Sequence, residues 1–201
     1  MVTIIASVAH ACKDHGIPLM GGETAEIQQM YQKDAVNIEG TIVGVVEKKD
    51  IIYGKQDIQA GDAILALKSN GFHTNGYTTV NQHASTHPSV RDLLAPHRCY
   101  LKEVRAIRKA VPVHGLVHVT GGGLVENPKR VLKEDLEIEW ASWRIPSDFR
   151  WIQKQSGMSD QEMRKTFNMG LGMLVFISPS DATKAYAACP ELSIVGSVKR
   201  K

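Results

Sequence analysis

Three consecutive glycines, Gly121 to Gly123, form the segment of the chain best suited to hold an anionic ligand. They lie between the apolar run 116–119 and the helix-like stretch 124–132, which predicts a strand, a tight loop and the start of a helix. Without Cβ atoms the backbone can come close to a ligand, and the free N–H groups that begin a helix suit a phosphate. Three glycines can equally do no more than turn the chain, so this loop alone does not decide the function.

A second segment, residues 69–77, contains two Asn-Gly pairs in the string SNGFHTNGY. Asn-Gly favours positive φ, so the backbone is predicted to make two sharp turns that present N–H groups and small polar side chains. His73 lies between these turns, where it could donate to a ligand oxygen or transfer a proton near neutral pH. A surface hairpin with an incidental histidine is the alternative, and it explains the whole string poorly.

The glycine pair Gly21-Gly22 is followed by carboxylates that could bind a metal ion. Glu23 and Glu26 offer the oxygen ligands that magnesium prefers. Carboxylates beside a turn are more often simply solvated, and without further context that interpretation is favoured.

The segment 166–173 places Gly170 and Gly172 between a predicted helix and a buried strand, where close backbone packing explains both. Asn168 could cap the helix or contact a ligand. Four other histidines show no metal-ligand spacing and are interpreted as structural or surface residues: His83, His87, His97 and His118.

Composition limits the classes of function. The chain has 201 residues, is 43% apolar and has a formal net charge of +3, which allows one sizeable core or two small ones. No basic block is interleaved with aromatics, so nucleic-acid binding is not indicated. No apolar stretch approaches the ~20 residues of a membrane span, and no signal peptide is apparent. Three widely separated cysteines suit reduced thiols, so a cytoplasmic protein is expected.

Hydrophobic spacing predicts a first helix that ends near Gly16, then a strand or two over 36–47 and a domain boundary within 50–61. Strands are predicted beyond this boundary at 63–67, 116–119, 136–140, 173–177 and 193–198. Helices are predicted from Tyr77 and over 100–110, 124–132, 147–155 and 181–188, with another that begins at the capping box Ser159-x-x-Glu162. Strands alternate with helices, which favours a layered α/β domain.

Seven strings, taken together and in order, resemble phosphoribosylformylglycinamidine cyclo-ligase, also called aminoimidazole ribonucleotide synthetase. They are GGETAE at 21–26, MY at 30–31, VGVVEK at 43–48, SNGFHTNGY at 69–77, LLAPHRCYLK at 93–102, HVTGGGLVEN at 118–127 and TFNMGLGM at 166–173. The resemblance implies an α/β fold in which a mixed sheet packs with helices in a substrate-binding domain, residues 56–201. Residues 1–55 would be a remnant of the N-terminal ATP-binding domain.

The family uses ATP to activate the formyl-derived oxygen of formylglycinamidine ribonucleotide, after which a ring nitrogen closes the imidazole in purine biosynthesis. The resemblance therefore implies ATP and magnesium as cofactors. It implies the following site residues: Glu23 and Thr24 at the nucleotide, with Glu23 as the metal ligand; His73 and Asn75 at the reacting centre; and Thr120, Gly121, Gly122, Gly123 and Asn127 in the substrate pocket.

The chain departs from the family pattern at residues 28–29 and 128–133, and above all at its front. Family enzymes have a large segment before GGETAE that binds ATP and metal, and this chain lacks it. Activity is therefore expected only with the missing N-terminal half, and unpaired strand edges suggest a homodimer or a partner chain. The alternative is a non-catalytic ribonucleotide-binding or interaction module that retains the fold.

Overall fold

The computed structural model describes residues 2–26, 32, 35–73 and 75–201 of the chain. The chain divides into two compact units, residues 1–45 and 46–201. The string MY at 30–31 and Thr74 of the SNGFHTNGY string lie outside the described residues. No helix in the described part of the chain is both long and apolar enough to cross a membrane.

The first unit contains helix α1 (Val2–Asp14), which confirms the helix predicted there. Gly16 follows in the left-handed conformation with φ of 65°, as expected of a glycine that ends a helix. No residue of α1 is buried.

The strand predicted over 36–47 is wrong, because the described residues 35–47 include no strand. β-branched residues favour strands only where a neighbouring strand takes up the backbone hydrogen bonds and covers one face. In this segment Ile42 is 74% exposed and Val45 is 99% exposed, so neither side chain is covered. Local composition alone therefore did not produce a strand.

The second unit contains a five-stranded sheet with strand order β2-β4-β1-β5-β3. The strands are β1 (Ala63–Lys68), β2 (Gly115–His118), β3 (Leu136–Trp140), β4 (Leu171–Ile177) and β5 (Ser193–Arg200). Each lies where the sequence predicts it, to within a few residues at the ends.

All four strand pairings are antiparallel, so the expectation of a mixed sheet needs correction. Strands β1, β2 and β3 run in one direction, because each is an even number of antiparallel pairings away from the others. They are never neighbours, because β4 and β5 run in the opposite direction and insert between them. The layered α/β architecture itself is confirmed.

Six helices follow in the second unit, close to their predicted positions: α2 (Tyr77–His83), α3 (Leu101–Ala110), α4 (Gly123–Lys129), α5 (Ser147–Ser156), α6 (Asp160–Thr166) and α7 (Ala182–Ala188). The predicted capping box is present at α6, where Ser159 and Glu162 bond each other's backbone N–H. Helix α4 ends at Lys129 rather than residue 132, and a tight turn with a bond from Val131 N–H to the Pro128 carbonyl follows.

Both faces of the sheet are buried. On β1, Ile64 and Ala66 pack into one apolar cluster, whereas Leu65 and Leu67 pack into the other. Helices α2, α4, α5 and α6 contribute to the first cluster, and α3 and α7 contribute to the second. Each fully buried leucine, isoleucine or phenylalanine contributes roughly 1.5–3 kcal/mol. This three-layer core holds the strand ends from which the candidate site is built.

Candidate functional site

The two loops singled out in the sequence leave the sheet at the same edge. One loop follows β1 and contains residues 69–76, and the other follows β2 and contains the three glycines. Since both strands run antiparallel to β4, which lies between them, their carboxyl ends point the same way. The loops meet where the Asn75 Oδ1 atom lies 3.3 Å from the position that a Cβ of Gly121 would take. The structure thus brings Asn75 and the glycine loop together.

His73 lies inside the first loop with a left-handed backbone, φ 59°, and is only 5% exposed. Its Nε2 atom lies 2.9 Å from the Oδ1 atom of Asn70. Its other ring nitrogen, Nδ1, is buried and has no hydrogen-bond partner among the described residues. An unpaired buried nitrogen is costly, so it indicates a place where a proton, ion or ligand would bind.

Two more histidines surround His73. His97 stacks on it with ring centroids 3.7 Å apart, and the Nε2 atoms of His97 and His118 are 2.9 Å apart. The interpretation of His97 and His118 as structural or surface residues stays a prediction, but the structure places both rings beside His73, which the sequence did not indicate. Their sequence positions gave no signal, because three separate segments supply the three rings. That His118 is the last residue of β2, at the sheet edge where β1 also ends, was the one available clue.

Burial and neighbouring charge keep these rings neutral at pH 7. Burial first, and then the charges of His97, His118 and Arg98, lower the pKa of His73 from its usual 6.5 to about 4. Burial also lowers the pKa of His97 and of His118. A neutral imidazole can accept a proton or bind a metal ion through its free nitrogen.

The buried ring of Tyr100 packs against the rings of His73 and His118. Its hydroxyl donates to the Lys68 carbonyl at 3.0 Å, and burial raises its pKa to about 12. A Cβ on Gly172 would clash with the Tyr100 hydroxyl and come within 3.0 Å of the His73 ring. This confirms close packing as the reason for Gly172.

Asn168 links the end of α6 to the histidine loop, and it is fully buried. Its Oδ1 accepts bonds from the Ser69 hydroxyl and the Gly170 N–H, both at 2.8 Å. Its Nδ2 donates to the Gly71 carbonyl at 3.0 Å. The side chain therefore holds the loop and has its amide fully engaged in doing so.

Asn127 performs the same task for the glycine loop. It is 2% exposed, and its Nδ2 donates to the carbonyls of Thr120 and Gly121 at 3.1 Å and of Gly123 at 2.8 Å. Its Oδ1 accepts a bond from the Thr120 hydroxyl. These contacts fix the curvature of the loop from beneath.

The three glycines differ in what surrounds them. Gly121 is exposed, and a Cβ there would contact only Asn75. A Cβ on Gly122, whose φ is 94°, would come within 2.8 Å of the Glu126 side chain, and one on Gly123 would clash with the Arg164 carbonyl. Packing and backbone strain thus explain Gly122 and Gly123. A side chain at Gly122 would therefore disturb the loop itself, so of the three glycines only Gly121 can be substituted to test whether a ligand approaches the backbone.

Backbone donors remain open on the outer side of the loop. The Gly123 N–H is used by the turn, since it donates to the Thr120 carbonyl at 3.0 Å. The N–H groups of Gly121 and Gly122 have no partner among the described residues. Two adjacent free N–H groups at an exposed bend form a small anion-binding surface.

Arg98, which the sequence reasoning missed, lies at the rim of the histidine cluster. Its guanidinium bonds Glu103 at 2.6 Å and Glu191 at 2.7 Å, and its backbone N–H donates to the Asn70 Oδ1. The two carboxylates compensate its charge, so Arg98 positions the Asn70 amide without leaving a free cation.

Glu23 and Thr24 lie in the first unit and are exposed. In the described ranges, neither belongs to a group of three or more potential metal ligands, and His73, His97 and His118 form the one such group. Two cavities of about 300 and 260 Å³ lie elsewhere in the second unit, the larger between Trp140, Trp143 and Arg164.

Residues 59–201 match the family model of the AIR synthase related protein, C-terminal domain, and residues 1–46 match that of the N-terminal domain. The phosphoribosylformylglycinamidine cyclo-ligase of Burkholderia ambifaria strain MC40-6 is 42% identical over 198 residues, which cover 92% of this chain and 56% of that protein. The Chromobacterium violaceum enzyme of the same name is 39% identical over 202 residues, covering 94% and 58%.

Among solved structures, HypE from E. coli superposes with a TM-score of 0.55 at 17% identity, covering 76% of this chain and 48% of that one. At this level of identity the likeness concerns the fold alone. The chain spans little more than half the length of the curated relatives it matches.

Proposed function

We propose that this chain, which belongs to the AIR synthase related family, supplies the substrate-binding part of an ATP-dependent phosphoribosylformylglycinamidine cyclo-ligase. The observation that carries the proposal is the meeting of the two loops at one sheet edge. There the open N–H groups of Gly121 and Gly122 lie beside Asn75 and the buried loop of His73.

The glycine loop would bind the phosphate of formylglycinamidine ribonucleotide. The free N–H groups of Gly121 and Gly122 donate to phosphate oxygens, and Asn127 keeps the loop curved through its three donated bonds. Because a donor set fixed in advance needs no reorganisation, it favours binding at low entropic cost. Thr120 acts on the same loop through its bond to Asn127.

His73 and Asn75 would act at the closing ring. The neutral imidazole of His73 has a free Nδ1 that can accept the proton released when the ring nitrogen attacks. The buried Nδ2 of Asn75 also has no partner among the described residues, and it can donate to an oxygen of the reacting amide. Bound substrate would give both atoms a partner.

ATP and magnesium would be held by residues of the first unit. Glu23 and Thr24 offer hard oxygen donors and are exposed, which fits magnesium, since this ion commonly binds through one or two carboxylates together with phosphates and water. When bound, the ion would neutralise the nucleotide phosphates. We assign this role to Glu23 by the family resemblance of the GGETAE string.

The phosphate anchor is tested by calorimetric titration of the chain with formylglycinamidine ribonucleotide. Gly121→Val should weaken binding at least about tenfold, because its side chain fills the approach to the open N–H groups. Ala187→Val on the exposed side of α7 is the control, because it adds a similar side chain away from both loops. Equal affinity of Gly121→Val and the parent chain would refute the anchor.

Catalysis is tested by supplying the N-terminal domain of the Burkholderia ambifaria relative in trans. We expect no ring closure by the chain alone and measurable aminoimidazole ribonucleotide from the mixture. A chain that binds the ribonucleotide but stays inactive in the mixture would support the second candidate, a non-catalytic binding module. In either case we propose a cytoplasmic protein that pairs with a second copy, or with the N-terminal part of a cyclo-ligase, through the uncovered segment 36–46.

A further inference from the structure

We propose that His73, His97 and His118 form a binding site for a divalent transition-metal ion, with Zn²⁺ as the ion of choice. One ring nitrogen of each histidine lies within 4.8 Å of those of the other two. The proposal concerns these three side chains alone and does not depend on the cyclo-ligase function.

The spacing of the nitrogens is close to that of a metal site. Zinc binds histidine nitrogens at ~2.0–2.1 Å in tetrahedral geometry, which places two ligand nitrogens ~3.3 Å apart. The Nε2 atoms of His97 and His118 are 2.9 Å apart and share a hydrogen bond, which the ion would replace. The rings of His97 and His73 are stacked, so the ring of His97 has to turn before its nitrogen and Nδ1 of His73 can face one ion.

The hydrogen bonds around His73 fix the tautomer that a metal ligand needs. Asn70 donates from Nδ2 to the Pro96 carbonyl at 2.7 Å, so its Oδ1 must face His73. Since that oxygen can only accept, Nε2 of His73 carries the proton, and the 3.4 Å approach of the Asn70 N–H to the same nitrogen is the weaker contact. The lone pair is therefore on Nδ1, the buried nitrogen without a partner.

This arrangement matches the usual outer shell of a metal-bound histidine, in which the second ring nitrogen donates to a fixed oxygen. The Asn70 oxygen is held by a further bond from the Arg98 N–H at 3.1 Å. The ring of His73 is thus oriented by two residues that do not themselves offer a metal ligand. A purely structural histidine at this depth would be expected to use both of its nitrogens.

Charge around the cluster permits a cation. The one nearby guanidinium, that of Arg98, is paired with Glu103 and Glu191, and Tyr100 stays protonated. Imidazole donors suit Zn²⁺, Cu²⁺ and Ni²⁺ rather than magnesium.

The site is open on one side, since His118 is exposed and His97 is half-buried. Three protein ligands and an open fourth position are the pattern of zinc sites that keep a water or accept a ligand. Binding would occupy Nδ1 of His73, so zinc binding and proton uptake by that nitrogen exclude each other.

The test is a zinc titration of the full chain in competition with a chromophoric chelator. We expect one ion per chain, with affinity at least about tenfold lower in His97→Gln and His118→Gln. His83→Gln is the matched control, because this histidine on α2 lies outside the cluster, and its affinity should equal that of the parent chain.

Cobalt absorption gives a second measurement that does not rely on activity. Co²⁺ added to the parent chain should produce the intense visible bands of tetrahedral coordination, and both cluster variants should lose them while keeping the parent's far-ultraviolet circular dichroism. Failure of the folded parent chain to bind one zinc ion would overturn the proposal. So would binding that survives both cluster substitutions, or that the His83 variant weakens equally.

Discussion

The glycine loop depends on one amide, and replacing it by a carboxylate tests how the loop is held. In Asn127→Asp the shape is kept, but the Nδ2 that donates to three carbonyls becomes an acceptor. In Asn127→Ala the donor and the Oδ1 atom that accepts from the Thr120 hydroxyl are both removed, and no charge is added. Comparison of the two variants separates the lost hydrogen bonds from the repulsion between oxygens.

The expected loss of stability follows from the hydrogen bonds that the Asn127 side chain makes. The two N–H hydrogens of the amide share three carbonyl contacts, and its Oδ1 accepts a bond from the Thr120 hydroxyl. With about 0.5–1.5 kcal/mol for each net hydrogen bond, losing these should lower the free energy of unfolding by about 3 kcal/mol in Asn127→Ala. The aspartate adds a buried carboxylate facing carbonyl oxygens and should cost about 2 kcal/mol more. Because its pKa in the folded state must be raised, the extra loss should be largest at neutral pH and shrink as the pH falls.

The assay is urea unfolding followed by tryptophan fluorescence. All three tryptophans, Trp140, Trp143 and Trp151, lie in the second unit, so the signal reports the unit that holds the loop. Asn81→Asp on the exposed side of α2 is the control and should change stability by less than about 0.5 kcal/mol. If Asn127→Asp unfolded at the same urea concentration as the parent chain, the assignment of this amide as the support of the loop would be refuted.

Two other predictions concern the histidine loop. The pKa of His73 is about 4 in the folded chain and 6.5 in the unfolded chain, so the unfolded chain takes up the proton first and the free energy of unfolding falls as the pH drops from 6.5 to 4. At about 1.4 kcal/mol for each pKa unit, the loss is about 3 kcal/mol. We halve this figure for solvent screening, because the neighbouring His118 is exposed. Urea unfolding measured from pH 7 to pH 4 should show this fall in the free energy of unfolding in the parent chain and a smaller fall in His73→Gln. An equal fall in both chains would contradict the role given to His73. Gly172→Ala should lower the melting temperature by several degrees, because the added Cβ would clash with the Tyr100 hydroxyl. Adding Tyr100→Phe to the same chain should recover part of that loss. An unchanged melting temperature in Gly172→Ala would contradict close packing at this position.

The elements of the second unit could be predicted because each carries its own local signal. The capping box at Ser159 and the alternation over 136–140 are examples that the structure reproduces closely. The segment 36–47 failed because its β-branched residues need a neighbouring strand that local composition does not supply. The sheet order was also out of reach, since nothing local indicates that β4 inserts between β1 and β2.

The candidate site was predictable in part for the same reason. Glycine and Asn-Gly patterns mark His73, Asn75 and the glycine loop directly in the sequence, and the structure brings these loops together. The roles of His97 and His118 depend on three distant segments meeting, which only the fold reveals. That Asn127 supports the loop from below could be recognised only once its carbonyl partners were known.

The position of β4 between β1 and β2 also sets when the site can form during synthesis. Both loops precede residue 171 in the chain, yet the strands that carry them are joined only through β4. A nascent chain that has already left the ribosome with His73 and Gly121 therefore still lacks the element that aligns them. Ribosome-bound chains should therefore bind neither ribonucleotide nor zinc until residue 177 has emerged and β4 can pair with both strands.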